Sequence, residues 1–539
     1  MSELLHELLL NTARQFPGRV AVIHKEQQWR YQELAELIAN FAQLLLQHQL
    51  SANGRVAVYL PKQIETLAAL FGSCYAGGVM VPVNPQLKAP QVSHIVSDSG
   101  AEFLVTTKHR YSQCKNLLNQ CPTLRAVILI DDPDNSLTTK QEPQASHDYI
   151  SHSCISWAFD NKSSVSDNAE SRFQPHRRIS HDIAALLYTS GSTGLPKGVI
   201  LSHLNMVAGA KSVAGYLHNH KDDRLLAVLP FSFDYGFSQL TTAFLTGASV
   251  VLLEHLMPRD VIRAVEKYRI TGLAAVPPLW IQLAQLDWGE TDSLRYITNS
   301  GGVMPRPTLA ALREKLPQTS PYLMYGLTEA FRSTYLDPKH LDSRPTSMGK
   351  AIPDAEILVL NEQGEQCRAN EPGELVHRGV HVAQGYWNAP DKTAQRFRPL
   401  PKTSGGRHEE IVVWSGDTVT RDEQGFLYFV GRQDDMIKSS GYRISPAELE
   451  ALVIDMPQVA EVAAFGVPHE QLGQAIVLAV KLNNNSDTTS AEILKLCKQQ
   501  LPNYMHPHHI EQYDELPKNP NGKIDRVKLT QQQDQLFSR

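Results

Sequence analysis

Over roughly the first 430 residues, short runs that are apolar at nearly every position alternate with segments of helical periodicity. Residues 55–59, 103–106, 183–188, 225–229, 249–253, 273–276 and 296–298 read as strands, and residues 64–76, 204–217, 259–268 and 307–316 as helices between them. A strand without polar alternation suits burial on both faces, and such strands separated by helices build parallel sheets covered on both sides. The alternation predicts an α/β fold, and this many strands needs two mainly parallel sheets stacked on each other. With 539 residues the chain also exceeds one core, since single cores stop growing near ~250–300 residues, so two or more domains are expected.

Two stretches break the rhythm. Residues 131–180 are rich in Ser, Asp, Asn, Gln and His with little periodicity, and read as a surface insertion. Residues 376–430 carry glycine-punctuated strand-like pieces, read as a small β subdomain. A boundary is placed between Gln433 and Asp434, giving domains 1–433 and 434–539. Beyond it, Ser445-Pro-Ala-Glu448 reads as a capping box with proline at the first helical position. A small α+β domain follows, with helices at 446–454 and 491–501 and strands near 459–466 and 475–482.

Net charge of −5 offers no basic footprint, so nucleic acid is not an expected partner. The six cysteines form no CxxC pair and no zinc pattern, which fits reduced thiols in a cytosol. The N-terminus lacks a basic stretch followed by a long apolar one, and no apolar run reaches the ~18–20 residues of a membrane span. A cytoplasmic protein without stable membrane insertion is expected.

The sharpest chemical signal is Tyr188-Thr-Ser-Gly-Ser-Thr-Gly-Leu-Pro-Lys-Gly198, directly after an apolar strand. Glycines let backbone N–H groups approach phosphate oxygens closely, hydroxyls add donors and Lys197 adds charge. The order is neither a Walker A loop nor a dinucleotide fingerprint. Five further motifs follow in order: Asn299-Ser-Gly-Gly302, Tyr325-Gly-Leu-Thr-Glu329, Ser415-Gly-Asp417, Gly431-Arg-Gln-Asp-Asp-Met-Ile-Lys-Ser-Ser-Gly-Tyr-Arg443 and Asn521-Gly-Lys-Ile-Asp-Arg526. Together they resemble the signature of the adenylate-forming superfamily, which includes acyl-CoA synthetases, stand-alone amino-acid-activating domains and luciferases. The resemblance covers essentially the whole chain. It implies a small mobile C-terminal domain and ATP-dependent conversion of a carboxylic acid to its acyl-adenylate, with release of pyrophosphate. Transfer to a thiol would follow, with CoA as acceptor or, alternatively, the phosphopantetheine of a separate acyl or peptidyl carrier protein.

The resemblance also implies residue roles. Thr189, Ser190, Gly191, Ser192, Thr193, Gly194 and Lys197 would hold the β- and γ-phosphates. Thr328 would contact the α-phosphate, and Glu329 would be the magnesium ligand, a hard oxygen donor suited to that cation. Asn299, Ser300, Gly301, Gly302, Tyr325 and Gly326 would frame the adenine, with Asp417 and Arg432 on the ribose. Lys523 would bridge the carboxylate and α-phosphate during adenylation. Rotation of the small domain about Asp434 would then bring Lys438 and Gly441 to the site for the thiol step.

For the acid itself the pattern points to Phe233, Asp234, Tyr235, Ser238 and Arg332. Phe233-Asp234 resembles amino-acid-activating domains, in which the Asp grips the substrate ammonium, whereas Tyr235-Gly236 resembles acyl-CoA synthetases. A buried Asp234 needs a cationic or hydrogen-bonding partner, and both a substrate amine and Arg332 stay open as that partner. Val276-Pro-Pro-Leu-Trp280 reads as an apolar wall. At subgroup level, the segments around Phe233 and Glu329 look like the AMP-forming ligases called exosortase A system-associated, and like stand-alone prolyl carrier-protein ligases. The chain ends soon after Arg526, so any acceptor is expected to be a separate molecule.

Overall fold

A computed structural model of the chain describes residues 3–132, 153–157, 174–189, 196–302, 304, 306–402, 409–432, 436–444, 446–456, 458–483, 488–517 and 524–537. Every strand and helix expected from the apolar rhythm is present, within one to three residues at the ends. Two large sheets form. The first has seven strands, with Arg55–Val58 and Val79–Pro82 at its centre. Its strands run parallel until the last pair, Ile183–Thr189 against Lys197–Ser202, which is an antiparallel hairpin. The second has fourteen strands, and its parallel centre is built from Ser249–Leu252, Arg224–Ala227, Gly272–Ala275, Tyr296–Asn299 and Ser320–Tyr325.

Helices fill the space between the sheets. Phe71 on Ile64–Tyr75 stacks on Phe237 of Asp234–Thr246, with centroids 5.7 Å apart. Burying a ring of this size stabilises the fold by about 1.5–3 kcal/mol. Both helices are buried nearly all round, the second with polar as well as apolar side chains.

The β subdomain begins earlier than residue 376. Ala355–Leu360 and Gly373–Gly379 pair antiparallel, and Ser347–Ala351 joins them, through Leu427–Arg432, to the second large sheet. The subdomain is therefore an antiparallel extension of that sheet. Within 131–180, Ser153–Ser156 is an edge strand beside Ala126–Leu129, and Trp157 packs 4.6 Å from Phe41. That part of the stretch is sheet edge and core, not surface insertion. Residues 133–152 and 158–173 lie outside the described residues.

Beyond Arg432 a separate five-stranded sheet appears, with helices Pro446–Ile454, Ser490–Gln500 and Arg526–Gln532. Gln433, Asp434 and Ser445 lie outside the described residues. The hairpin Ile437–Ser439 and Tyr442–Ile444 was not legible as strands, because each arm is only three residues long. No described helix is long and apolar enough to cross a membrane.

Candidate active site

The carboxyl ends of the parallel strands in both sheets converge on one cavity of about 630 Å³. From the second sheet come the segments after Arg224–Ala227, Gly272–Ala275, Tyr296–Asn299 and Ser320–Tyr325, which bring Phe233, Val276, Gly301 and Thr328 to its wall. The first sheet brings Asn84, Thr189 and Lys197. Ligands of open α/β sheets bind at such strand ends, because the connecting loops there are free to vary.

Thr189 and Lys197 face each other across the last register position of the hairpin. Ser190, Gly191, Ser192, Thr193 and Gly194, between them, lie outside the described residues. Lys197 Nζ stands 4.5 Å from the centroid of the Tyr386 ring. Burial brings its ammonium down to about 8; Glu329 pulls it up, and Lys392, Arg396 and Arg443 push it further down. Arg443 and Arg396 of that cationic group also act on the buried carboxylate Glu329. Glu329 is 8% exposed and accepts a 2.6 Å hydrogen bond from Tyr386 Oη. Burial alone would raise its pKa, but Arg443 and the Tyr386 bond bring it below the ordinary carboxylate value.

Asn299 Nδ2 donates to Gly302 O at 3.0 Å, which shapes the turn after its strand. Tyr325 Oη donates to Asp417 Oδ2, so two residues assigned to the nucleoside from distant motifs are brought into contact. Arg432 lies opposite Asp417 in the antiparallel pair. Ser300, Gly301 and Gly326 line the cavity, whereas Asn299, Gly302, Tyr325 and Asp417 stand beside it.

At the opposite end Asp234 opens its helix, where the dipole favours a carboxylate. It is 4% exposed, and Arg332 Nη1 donates to its Oδ2 at 3.0 Å. Burial pushes the Asp234 carboxyl up, against the pull of Arg332. Of the two partners left open by the sequence, the structure shows Arg332. Two expected substrate residues are displaced from the wall. Tyr235 hydrogen-bonds Thr298 Oγ1 in the core at 2.5 Å, and Ser238 is buried one helical turn beyond Asp234. Phe233 does line the cavity.

The small domain closes the cavity with Gly441. Ser440 and Gly441 both take positive φ, 53° and 81°, as a two-residue hairpin turn of the primed type requires. Lys438 points away, its Nζ 4.5 Å from the Phe429 ring centroid and its N–H donating to Gln474 Oε1. Lys438, expected at the site, is not among the residues that line the cavity. Tyr442 and Tyr504 stack at 3.8 Å beside Gly441, and burial pushes the nearby Glu448 carboxyl up to about 7. Lys523 lies outside the described residues. Tyr386, Arg396 and Arg443 were not singled out as site residues from sequence; their roles come from convergence on Glu329 across long loops, which leaves no local pattern.

Comparison with known proteins agrees with this geometry. The model of the AMP-binding enzyme family matches residues 9–387, and that of the AMP-binding enzyme C-terminal domain matches residues 448–523. The chain is 25% identical to long-chain-fatty-acid–CoA ligase of Bacillus subtilis (strain 168), over 99% of this chain and 95% of the relative. It is 27% identical to bacitracin synthase 3 of Bacillus licheniformis over 98% of its own length, but spans only 8% of that much longer protein. Among solved structures, o-succinylbenzoate CoA synthetase from Bacillus subtilis, as a double mutant bound to its product analogue, superposes with a TM-score of 0.79 at 24% identity, over 97% of this chain and 98% of that one. The same enzyme in complex with AMP gives 0.65 at 25% identity, over 97% and 98%. A family model that runs through both sheets and ends just past Tyr386, with a second on the small domain, settles the assignment: the chain belongs to the AMP-binding enzyme family, as an AMP-forming ligase of the acyl-CoA synthetase type.

Proposed function

We propose that the chain converts a carboxylic acid to its acyl-adenylate and then transfers the acyl group to the thiol of CoA. The observation that carries this reading is that the Gly441 turn lines the same cavity as Lys197, Arg396, Arg443 and Glu329. Grouped cations suit a polyphosphate, and a glycine turn at the wall leaves room for a thiol arm.

In the first step a carboxylate oxygen attacks the α-phosphorus and the bond to pyrophosphate breaks. Both reactants are anionic, so the protein's work is alignment and charge neutralisation. Thr189 to Gly194 and Lys197 hold the leaving phosphates, Thr328 the α-phosphate, and Asp417 with Arg432 the ribose. The donor set fits magnesium, which takes one or two carboxylates together with substrate phosphates; Glu329 is such a carboxylate. When bound, the ion supplies positive charge to the phosphate oxygens. In the second step the thiol sulfur loses its proton and attacks the acyl carbon, and AMP leaves. A cytoplasmic setting, in which the six free cysteines stay reduced, belongs to the same proposal.

ATP–pyrophosphate exchange over a panel of fatty, aryl and amino acids, followed by thioester formation with CoA or with a phosphopantetheinylated carrier, tests the reading. Absence of any CoA thioester from an acid that is adenylated would overturn CoA as acceptor. The carrier alternative draws on the likeness to a segment of bacitracin synthase 3. An amino acid held through Asp234 is less well supported, since Arg332 already meets that charge.

Two smaller effects follow from these groups. Lys197 is charged below its pKa of about 8 and neutral above it, so its attraction for phosphate is lost as pH rises through that value. The KM for ATP should climb between about pH 7 and 9.5 in the native chain and stay flat in Lys197→Arg, whose charge persists. An equal climb in both would assign the titration elsewhere. Tyr386→Phe removes a hydrogen bond that favours the Glu329 carboxylate, so the acid limb of the exchange profile should move to higher pH. An unmoved limb would show that this bond does not set the charge of Glu329.

A further inference from the structure

Where the small domain meets the large one, the cavity wall is made by both. Gly441 rests on Val276, with its carbonyl near Gly301. Its neighbour Tyr442 stacks on Tyr504 with centroids 3.8 Å apart and also meets the side chain of Asn84 from the large domain. Gln91 Nε2 donates to Gln500 O at 3.2 Å, a further tie between the domains. Glu448 belongs to the same wall.

Glu448 lies in the first turn of Pro446–Ile454, where the helix dipole favours a carboxylate. Burial outweighs the dipole and pushes the carboxyl up to about 7. Burial is the only cause: among the described residues no cation and no hydrogen bond offsets it. The groups that face it are phenols. Tyr504 feels its charge, Tyr442 lies behind Tyr504 in the stack, and burial keeps both protonated. Glu254 of the large domain acts on Tyr442 but not on Glu448.

A carboxyl in a cavity wall without a partner is costly unless what enters the cavity brings a donor. The tyrosine stack links Gly441 to Glu448, which puts the carboxyl beside the path of a thiol arm and not at the turn itself. The donors that CoA and a carrier protein would both bring along that path are the amide N–H groups and the hydroxyl of pantetheine.

We infer that Glu448 is a specificity-determining residue for the thiol acceptor, its carboxylate accepting a hydrogen bond from an amide N–H or the hydroxyl of a pantetheine arm. This rests on the thiol-transfer reading, and it narrows the acceptor to pantetheine thiols as against thiols without those donors. A site built to hydrogen-bond its ligand rejects the analogue that lacks the partner. Because Glu448 and Gly441 share the small domain, the acceptor is read only while that domain lines the cavity.

The test is equilibrium binding of S-methylpantetheine to the full chain with AMP present, set against its two N-methylated amide analogues and its deoxy analogue. At least one analogue should bind the native chain about fivefold or more weaker than S-methylpantetheine. In Glu448→Leu that deficit should shrink to within about twofold, because the acceptor is gone. Glu448→Gln keeps a carbonyl acceptor and should keep a smaller deficit. A carboxylate accepts more strongly than a carboxyl, and Glu448 ionises as pH rises through about 7. The native deficit should therefore widen between about pH 6 and 8, while that of Glu448→Gln stays flat. Absent binding, or equal binding of all four ligands by the native chain, overturns the inference whether or not the variants fold. A deficit that survives in Glu448→Leu also overturns it, since another group then accepts. If the deficit follows Glu448 but neither CoA nor a phosphopantetheinylated carrier takes an acyl group from its adenylate, the thiol-transfer reading fails and the contact stands.

Discussion

Gly441→Leu is expected to leave ATP–pyrophosphate exchange within about twofold of the native chain while lowering thioester formation by on the order of a hundredfold or more. Gly441 sits at φ 81° with Ser440 at 53°, and a non-glycine residue in that region costs about 1–2 kcal/mol. The larger effect is steric. A Cβ at position 441 would fall 2.9 Å from three side-chain atoms of Val276, and the Gly441 carbonyl already rests near Gly301. Val276 caps the helix Pro277–Ala284 and is β-branched, so it has little freedom to withdraw. A leucine would therefore lift the small domain off the cavity in the arrangement seen here. If exchange falls in parallel with thioester formation, the turn serves both steps and its assignment to thiol transfer is wrong.

Lys523→Ala is expected to do the opposite: on the order of a hundred- to a thousandfold loss of adenylation, with a supplied acyl-adenylate still consumed by the thiol. The acid carboxylate and the α-phosphate repel each other, and a cation bridging them in a closed site acts in a low dielectric where each contact is worth far more than in water. Lys197 is assigned to the leaving phosphates, which leaves this bridge to the C-terminal motif. The segment that carries Lys523 is tied at both ends, since Asp525 N–H donates to Pro517 O at 2.8 Å and Asp525 caps the last helix through Lys528 N–H. Arg526 adds a two-pronged pair with Glu450. In the two-arrangement reading, movement of the small domain would deliver the motif. Loss of the same half-reaction in both variants would refute the two-arrangement reading.

The α/β class, the two sheets and the strand-end position of the motifs at Thr189, Asn299 and Tyr325 were legible in the sequence, because they rest on properties of neighbouring residues. An all-apolar run such as Ile183–Thr189 declares a buried strand, and the glycine-rich stretch after it declares a loop. The short hairpin at Gly441 escaped because three-residue arms carry no period. The edge strand Ser153–Ser156 escaped because its polar composition imitates a loop; its place is set by pairing with Ala126–Leu129.

Site chemistry divided along the same line. Thr189, Lys197, Gly301, Thr328 and Glu329 were identified from motifs and do meet at one cavity, since each motif ends a strand and the sheets align those ends. Tyr235 and Ser238 were expected beside Asp234 but do not line the cavity, because Tyr235 turns to the core to meet Thr298 and Ser238 lies one turn further along the helix. Residue order was enough to say that a carboxylate and a guanidinium lie near the acid. Only the folded chain showed that Asp234 and Arg332, 98 positions apart, pair with each other. Likewise Tyr386 reaches Glu329 across 57 positions. Local periodicity and spacing carry the layers and the reaction class, whereas the pairing of buried charges depends on which distant segments the sheets bring together, and no window of sequence contains both partners.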